Sequence, residues 1–259
     1  MSVDAGDVRV ERDGQVVTIT FDRPNARNAM TWAMYEQLDQ ALDRIAADSD
    51  IRVAVLRGAG GNFASGTDIS QFVDFRTGDD GIEYERRLEA IVAKLESSRV
   101  ATIAAIEGYA LGGGLALATV CDLRICTPGA RFGVPVAKTV GNCLSLPNYA
   151  RLVASLGVSR TKAMLFTAES MSAEEAKELG FVVSIVEPQA FDGAIAALCA
   201  RVASHAPITL QVTKEAMRRI VSSSAAQGSD LVQRAYASSD FREGVAAFLE
   251  KRPARWEGR

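Results

Sequence analysis

Two stretches of this chain, "IRVAVLRGAGGNFASGTDIS" (51–70) and "VATIAAIEGYALGGGLALATVCDLRI" (100–125), share one design. Each opens on an apolar run without polar alternation, then delivers glycine-rich backbone toward a segment that can start a helix. A strand that is apolar on both faces is covered on both faces, the pattern of parallel strands packed between helices. Glycine weakens a helix by about 1 kcal/mol relative to alanine. Gly112, Gly113 and Gly114, set together ahead of "LALATVC", therefore imply a close approach to the backbone. N–H groups at such a helix start are unpaired, carry partial positive charge and suit an anionic oxygen.

The rest of the chain extends this pattern. "VRVERDGQVVTITFD" alternates as two strands about an Asp13-Gly14 turn. Thr31 is placed to N-cap an amphipathic helix through "WAMYEQLDQALDRIAAD", and residues 81–97 read as a second, charged one. "CDLRICTPGARFGVP" reads as strand and turn, with Cys121 and Cys126 on opposite faces of one strand. Strands alternate with helices from about residue 50 to 190, an α/β architecture. From there the pattern is helical only, through "EPQAFDGAIAALCARVASHA", "PITLQVTKEAMRRI", "SDLVQRAYAS" and "SDFREGVAAFLEKR". Residues 1–190 are expected to form the core and 191–259 a C-terminal helical region.

Composition narrows the functional classes. A net charge of −3 gives no basic surface for nucleic acid, and "KRPAR" near the C-terminus reads as a solvated face. Cys121, Cys126, Cys143 and Cys199 lack paired metal-ligand spacing and read as reduced thiols, so no metal is expected. The N-terminal segment reads as neither signal nor transit peptide, and no apolar run reaches the roughly 18 residues of a membrane helix. The expectation is a cytoplasmic protein without a membrane partner. A dinucleotide fold fails on detail: Phe63 and Leu117 stand where the third glycine of each loop belongs, and no GxxxxGK exists. The single histidine, His205, and the lack of G-x-S-x-G argue against a serine hydrolase.

"FDRPNARNAM", "VLRGAGGNFASGTDI", "AAIEGYALGGGLALATVCDLRI", "RFGVPVA", "LFTAESMSAEEAKELGFVVSIV", "PITLQVTKEAM" and "DFREGVAAFLEKRPARW" fall in order along almost the whole chain. Together they resemble the crotonase superfamily, the enoyl-CoA hydratases and isomerases. The resemblance implies a spiral of ββα repeats with a C-terminal helical trimerisation region, a homotrimer or hexamer, and an acyl-CoA thioester as ligand. Coenzyme A then enters as part of the substrate, and no separate cofactor is implied. By the same resemblance, the amides of Thr67 and Gly113 bind the thioester oxygen and stabilise an enolate or tetrahedral oxyanion. A β-carbon at residue 113 is expected to crowd the thioester. The resemblance also lays Arg27, Ala29, Ala64, Gly66, Thr67, Asp68, Ile69, Leu111, Gly113, Gly114 and Pro135 along the substrate. Asp68 reads as well as an N-cap of "ISQF".

Family hydratases carry one glutamate two residues after the glycine triplet and another directly after the proline of "FG-x-P". Here those positions are Ala116 and Val136, which cannot transfer a proton. Gly141 stands one residue later than the family spacing, which could turn Lys138 or Thr139 inward. Cys143 is expected to pack and Asn142 to hold a turn or a polar group. Asp74, Glu83 and Glu85 are candidate acids, explained more simply as a solvated helix face, and Glu107 is placed at a strand end away from the thioester. Enolate chemistry is therefore expected over the two-glutamate mechanism: isomerisation, decarboxylation or a slow hydratase-like reaction all fit, with isomerisation or other enolate chemistry favoured over hydration. The alternative is an acyl-CoA-binding protein that has lost its acids.

Overall fold

The computed structural model describes residues 5–222 and 229–255; Trp256, the end of the last motif, and the first four residues lie outside them. Nine strands and nine α-helices alternate among the described residues. β1 (Asp7–Asp13) and β2 (Val16–Asp22) form the expected antiparallel hairpin, with Gly14 in the left-handed region of its turn. α1 (Trp32–Ala47) starts where Thr31 Oγ1 accepts from Met34 N at 3.2 Å.

β3 (Val53–Gly58), α2 (Gly78–Glu96) and β4 (Ala101–Ile106) follow, then β5 (Tyr109–Leu111), α3 (Gly113–Val120), β6 (Leu123–Cys126) and β7 (Arg131–Gly133). The third quarter holds α4 (Leu146–Thr167), β8 (Met171–Ser172), α5 (Ala173–Glu178) and β9 (Ser184–Ile185). α6 (Phe191–Ala203), α7 (Pro207–Ser222), α8 (Ser229–Tyr236) and α9 (Ser239–Leu249) close the chain.

The main sheet runs β1-β2-β3-β4-β6-β9, parallel from β2 onward, and β5-β7-β8 form a small second sheet. Alternate residues of the central strands point to opposite layers, as uninterrupted apolar strands require. Val53, Val55, Ile103, Ala105 and Ile125 pack on Phe191, Ile195 and Cys199 of α6. Ala54, Leu56, Ala104, Ile106 and Cys126 face the larger core with α1, α2 and α3. Cys121 corrects the sequence reading: it caps the end of α3, and the strand begins only at Leu123. α4 is long and kinked where Gly157 takes φ of 76°, so its two halves leave the site at different angles.

Candidate active site

Two chain segments are zipped side by side to build the site. Phe63 N donates to Glu107 O (2.8 Å), Ala64 N to Tyr109 O (2.9 Å) and Leu111 N to Ala64 O (3.0 Å). A third segment locks on from the other side: Met30 N donates to Gly66 O and Asp68 N to Met30 O, at 2.8 and 2.9 Å. These bonds use the groups on either side of Thr67 and leave its N–H without an acceptor among the described residues. Gly113 opens α3, where an N–H has no intrahelical acceptor. The two amides belong to adjoining backbone: a β-carbon on Gly113 would lie 3.8 Å from Thr67 N.

Asn28, which sequence reasoning passed over, holds this frame. It is fully buried; its Oδ1 accepts from Arg23 N, and its Nδ2 donates to the carbonyls of Ala59 and Asn62 at 2.8 and 2.6 Å. The signal in sequence was an asparagine between two turn-forming stretches, a residue type that tolerates the left-handed conformation it takes here, with φ of 57°.

The three glycines answer to three separate causes. Gly112 takes φ of 49° and ψ of −118°, a conformation that side chains disfavour. Gly114 faces backbone, and a β-carbon there would sit 2.2 Å from Ala64 O. At Gly113 a β-carbon would first meet protein, not ligand: Tyr35 Oη at 2.6 Å and Thr67 Oγ1 at 3.2 Å. The protein itself is thus a reason for glycine here, apart from any crowding of a thioester. The Thr67 hydroxyl is bonded to both Tyr35 Oη (2.9 Å) and Tyr84 Oη (2.8 Å), so three hydroxyls lie in a row beside the amide pair. Burial raises both tyrosines well above their ordinary range, so all three oxygens stay protonated and neutral.

Ala64, Gly66, Thr67, Leu111, Gly113 and Gly114 therefore come together. Arg27 joins at the exposed edge: its carbonyl accepts from Ser65 N and its guanidinium lies 5.1 Å from the Tyr109 ring centre. Ala29 is half-buried next to the Met30 bonds, and its carbonyl accepts from Arg23. Asp68 caps the short 3-10 turn Ile69–Phe72, accepting from Ser70 N, and pairs with Arg23 at 2.7 Å. Burial opposes its charge, but the bonds from Ser70 and Arg23 hold its carboxyl below the ordinary value. Pro135 lies two residues past β7, and its carbonyl accepts from Lys138 N, Thr139 N and Thr139 Oγ1.

No proton-transferring side chain stands at 116 or 136. Ala116 is half-buried and lines a cavity of about 10 Å³, room for about one water, with Gly112, Leu144 and Asn148. Val136 is half-buried against the core. The extra residue before Gly141 does not turn a polar group inward: Lys138 is exposed and the Thr139 hydroxyl is spent on Pro135. Burial pushes the Cys143 thiol up to about 12, which leaves it protonated and suits packing. His205 is exposed between α6 and α7, and Glu107 pairs with Arg57.

Among the three candidate acids, Asp74 is exposed and Glu83 is exposed and paired with Arg86. Glu85 overturns the solvated-face reading: it is 4% exposed. Its Oε1 accepts from Tyr236 Oη and its Oε2 from Ser145 N, each at 2.9 Å. Burial raises its carboxyl from 4.5 to about 7, against the lowering effect of those two bonds. α8 covers this face because α2 carries glycines there; a β-carbon on Gly81 would lie 2.0 Å from the Tyr236 ring, and one on Gly78 2.6 Å from Gln233.

A cavity of about 910 Å³ lies elsewhere, between α4, α6, α7 and the start of β6, and its lining includes neither Thr67 nor Gly113. α7 buries no residue in the monomer and exposes Ile208, Val212, Met217 and Ile220.

Comparisons with known proteins agree with the architecture. The family model for enoyl-CoA hydratase/isomerase matches residues 11–259. Short-chain-enoyl-CoA hydratase of Clostridium acetobutylicum is 30% identical over 255 residues, covering 96% of this chain and 97% of that protein. 2,3-Dehydroadipyl-CoA hydratase of Escherichia coli K12 is 32% identical over 254 residues, covering 96% and 98%. A solved structure of methylmalonyl-CoA decarboxylase in complex with 2-nitronate-propionyl-CoA superposes with a TM-score of 0.89 at 25% identity, covering 98% of this chain and 99% of that one. With the ordered motifs, the parallel sheet and the paired amides, these matches establish that the chain belongs to the enoyl-CoA hydratase/isomerase family of enzymes.

Proposed function

We propose that this protein acts on acyl-CoA thioesters, holding the thioester oxygen between the amides of Thr67 and Gly113 and stabilising the enolate that forms on it. The observation that carries the reading is the pair of adjoining N–H groups without acceptors among the described residues, one in a loop and one at a helix start. Removing one such preorganised donor typically costs about 3 to 4 kcal/mol of transition-state stabilisation. Arg27, Ala29, Ala64, Gly66, Asp68, Ile69, Leu111, Gly114 and Pro135 would line the path of the ligand, with coenzyme A part of the substrate and no further cofactor. The protein would work in the cytoplasm as a homotrimer or hexamer, and the exposed apolar face of α7 is consistent with assembly.

Alanine at 116 and valine at 136 favour isomerisation, decarboxylation or another enolate reaction over hydration, because water addition in this family relies on carboxylates at both positions. The second reading is an acyl-CoA-binding protein without turnover. It is favoured by the small, largely apolar cavity at Ala116.

The test is incubation with crotonyl-CoA and a β,γ-enoyl-CoA in D₂O, followed by mass and double-bond position. Deuterium at the α-carbon or a moved double bond without added water supports enolate chemistry. Added water would mean that another side chain replaces the missing glutamates, and would refute the preference against hydration. Binding of both thioesters and of other acyl groups without any change would favour the second reading.

A further inference from the structure

Resting on the acyl-CoA reading above, we propose that Glu85 is the acid–base group of this site, doing the proton transfer that positions 116 and 136 cannot. The carboxylate is close enough to Tyr35 and Tyr84, the two hydroxyls bonded to Thr67 Oγ1, for its charge to act on both. On one side its neighbour Tyr84 is bonded to Thr67 Oγ1, and that hydroxyl to Tyr35, the group nearest Gly113. On the other side its partner Ser145 follows Leu144, which shares the cavity at Ala116 and Gly112. Glu85 thus approaches from α2 the region that the two amides and the missing acids would surround.

Its surroundings distinguish it from a structural carboxylate. The groups facing it are Tyr84 and Glu89 on α2, Tyr35 on α1, Cys143 and Ser145 on the incoming loop, Tyr149 on α4 and Tyr236 on α8, the last bonded in turn by Asn142. None is a cation, and no ion pair to Glu85 occurs among the described residues; the charge is held by two hydrogen bonds only. Two side-chain atoms of this network, Ser145 Oγ on a direct partner and Asn142 Oδ1 on a residue bonded to Tyr236 Oη, are buried with no hydrogen-bond partner among the described residues. Buried polar atoms are rarely left so, and two in the network of one buried carboxylate mark a place built for a polar or reacting group. A carboxyl poised near neutrality, as burial makes this one, is suited to take a proton and return it.

The step balances without a further reagent. Glu85 as carboxylate takes a proton from the substrate's α-carbon; the C–H bond breaks, an O–H bond forms, and the electron pair moves onto the thioester oxygen held by Thr67 N–H and Gly113 N–H. The acid then returns the proton to the α-carbon, which exchanges it, or to the γ-carbon of an enoyl chain, which moves the double bond. Tyr236 is a positioning residue, fixing the carboxylate through its hydroxyl.

The test compares wild type, Glu85→Gln, Glu85→Asp and Tyr236→Phe by acyl-CoA binding, by α-proton exchange in D₂O across pH, and by the infrared C=O band of a protonated carboxyl. Glu85→Gln is expected to bind within about threefold of wild type while exchange falls at least about 100-fold. Glu85→Asp should recover part of the rate, and Tyr236→Phe should displace the midpoint of the pH profile. The carboxyl band should vanish with a midpoint near 7 in wild type, respond to bound acyl-CoA, and be missing in Glu85→Gln. Exchange in Glu85→Gln within about threefold of wild type overturns the proposal and leaves the acyl-CoA reading standing. Wild type that binds but never exchanges, or a wild-type band indifferent to bound acyl-CoA, overturns this proposal alone; wild type that binds no acyl-CoA overturns the acyl-CoA reading with it.

Discussion

A buried carboxyl that keeps its proton to near-neutral pH must make folding stability depend on pH. Glu85 goes from about 4.5 in an open chain to about 7 in the folded protein, driven by burial. Between those values the unfolded state binds fewer protons, so stability falls as pH rises through that window and is flat above it. A tenfold change in proton affinity corresponds to about 1.36 kcal/mol, so the loss across the window is about 3 kcal/mol. Little is screened by solvent, since the residue is 4% exposed. Glu85→Gln keeps the shape and cannot ionise. Urea unfolding of both proteins at pH 5 and pH 8, at fixed protein concentration, isolates the effect, because every other titrating group cancels in the difference. The variant should gain about 3 kcal/mol relative to wild type on going from pH 5 to pH 8. A difference that stays constant within about 0.5 kcal/mol would mean that Glu85 is ionised and solvated in the folded state, and the reasoning would fail.

Three further outcomes follow from the packing. Gly114→Ala places a β-carbon 2.2 Å from the Ala64 carbonyl and should destabilise by about 1 to 3 kcal/mol in urea unfolding, whereas Gly129→Ala, with nothing within 4 Å, should be nearly neutral. Gly81→Ala forces α8 off α2 at the Tyr236 ring; thermal unfolding should record a similar loss, and the pH dependence assigned to Glu85 should shrink as water reaches it. Arg151 binds Glu89 and Glu96 at 2.7 and 2.8 Å with 9% of its side chain exposed, so Arg151→Met, which leaves both carboxylates without their cation, should cost about 3 kcal/mol in urea unfolding.

The elements that local chemistry determines were legible. The hairpin about Gly14, the caps at Thr31 and Asp68, and the buried strands β3 and β4 rest on short-range patterns, and the structure has all of them. The three-residue strands β5 and β7 were not, because they exist only through pairing across about 20 residues. Glu85 escaped for the same kind of reason. Its helix looks solvated until α8, roughly 150 residues on, covers it. One trace was present in the sequence: Gly78, Gly81 and Glu85 fall on one helical face, and glycine repeated at that spacing inside a charged helix marks a close-packed neighbour. The role of Gly113 was half legible, since its position showed that backbone is approached closely but not that a tyrosine hydroxyl makes the approach.

The central claim is that the amides of Thr67 and Gly113 polarise a thioester carbonyl. It is tested most directly by the infrared spectrum of a saturated acyl-CoA carrying carbon-13 at that carbonyl, free and bound to the protein. The account predicts that the isotope-edited C=O band moves to lower frequency on binding, as two hydrogen bonds draw charge onto the oxygen. A thioester shown to be bound, with its band where it lies in water or higher, would contradict it.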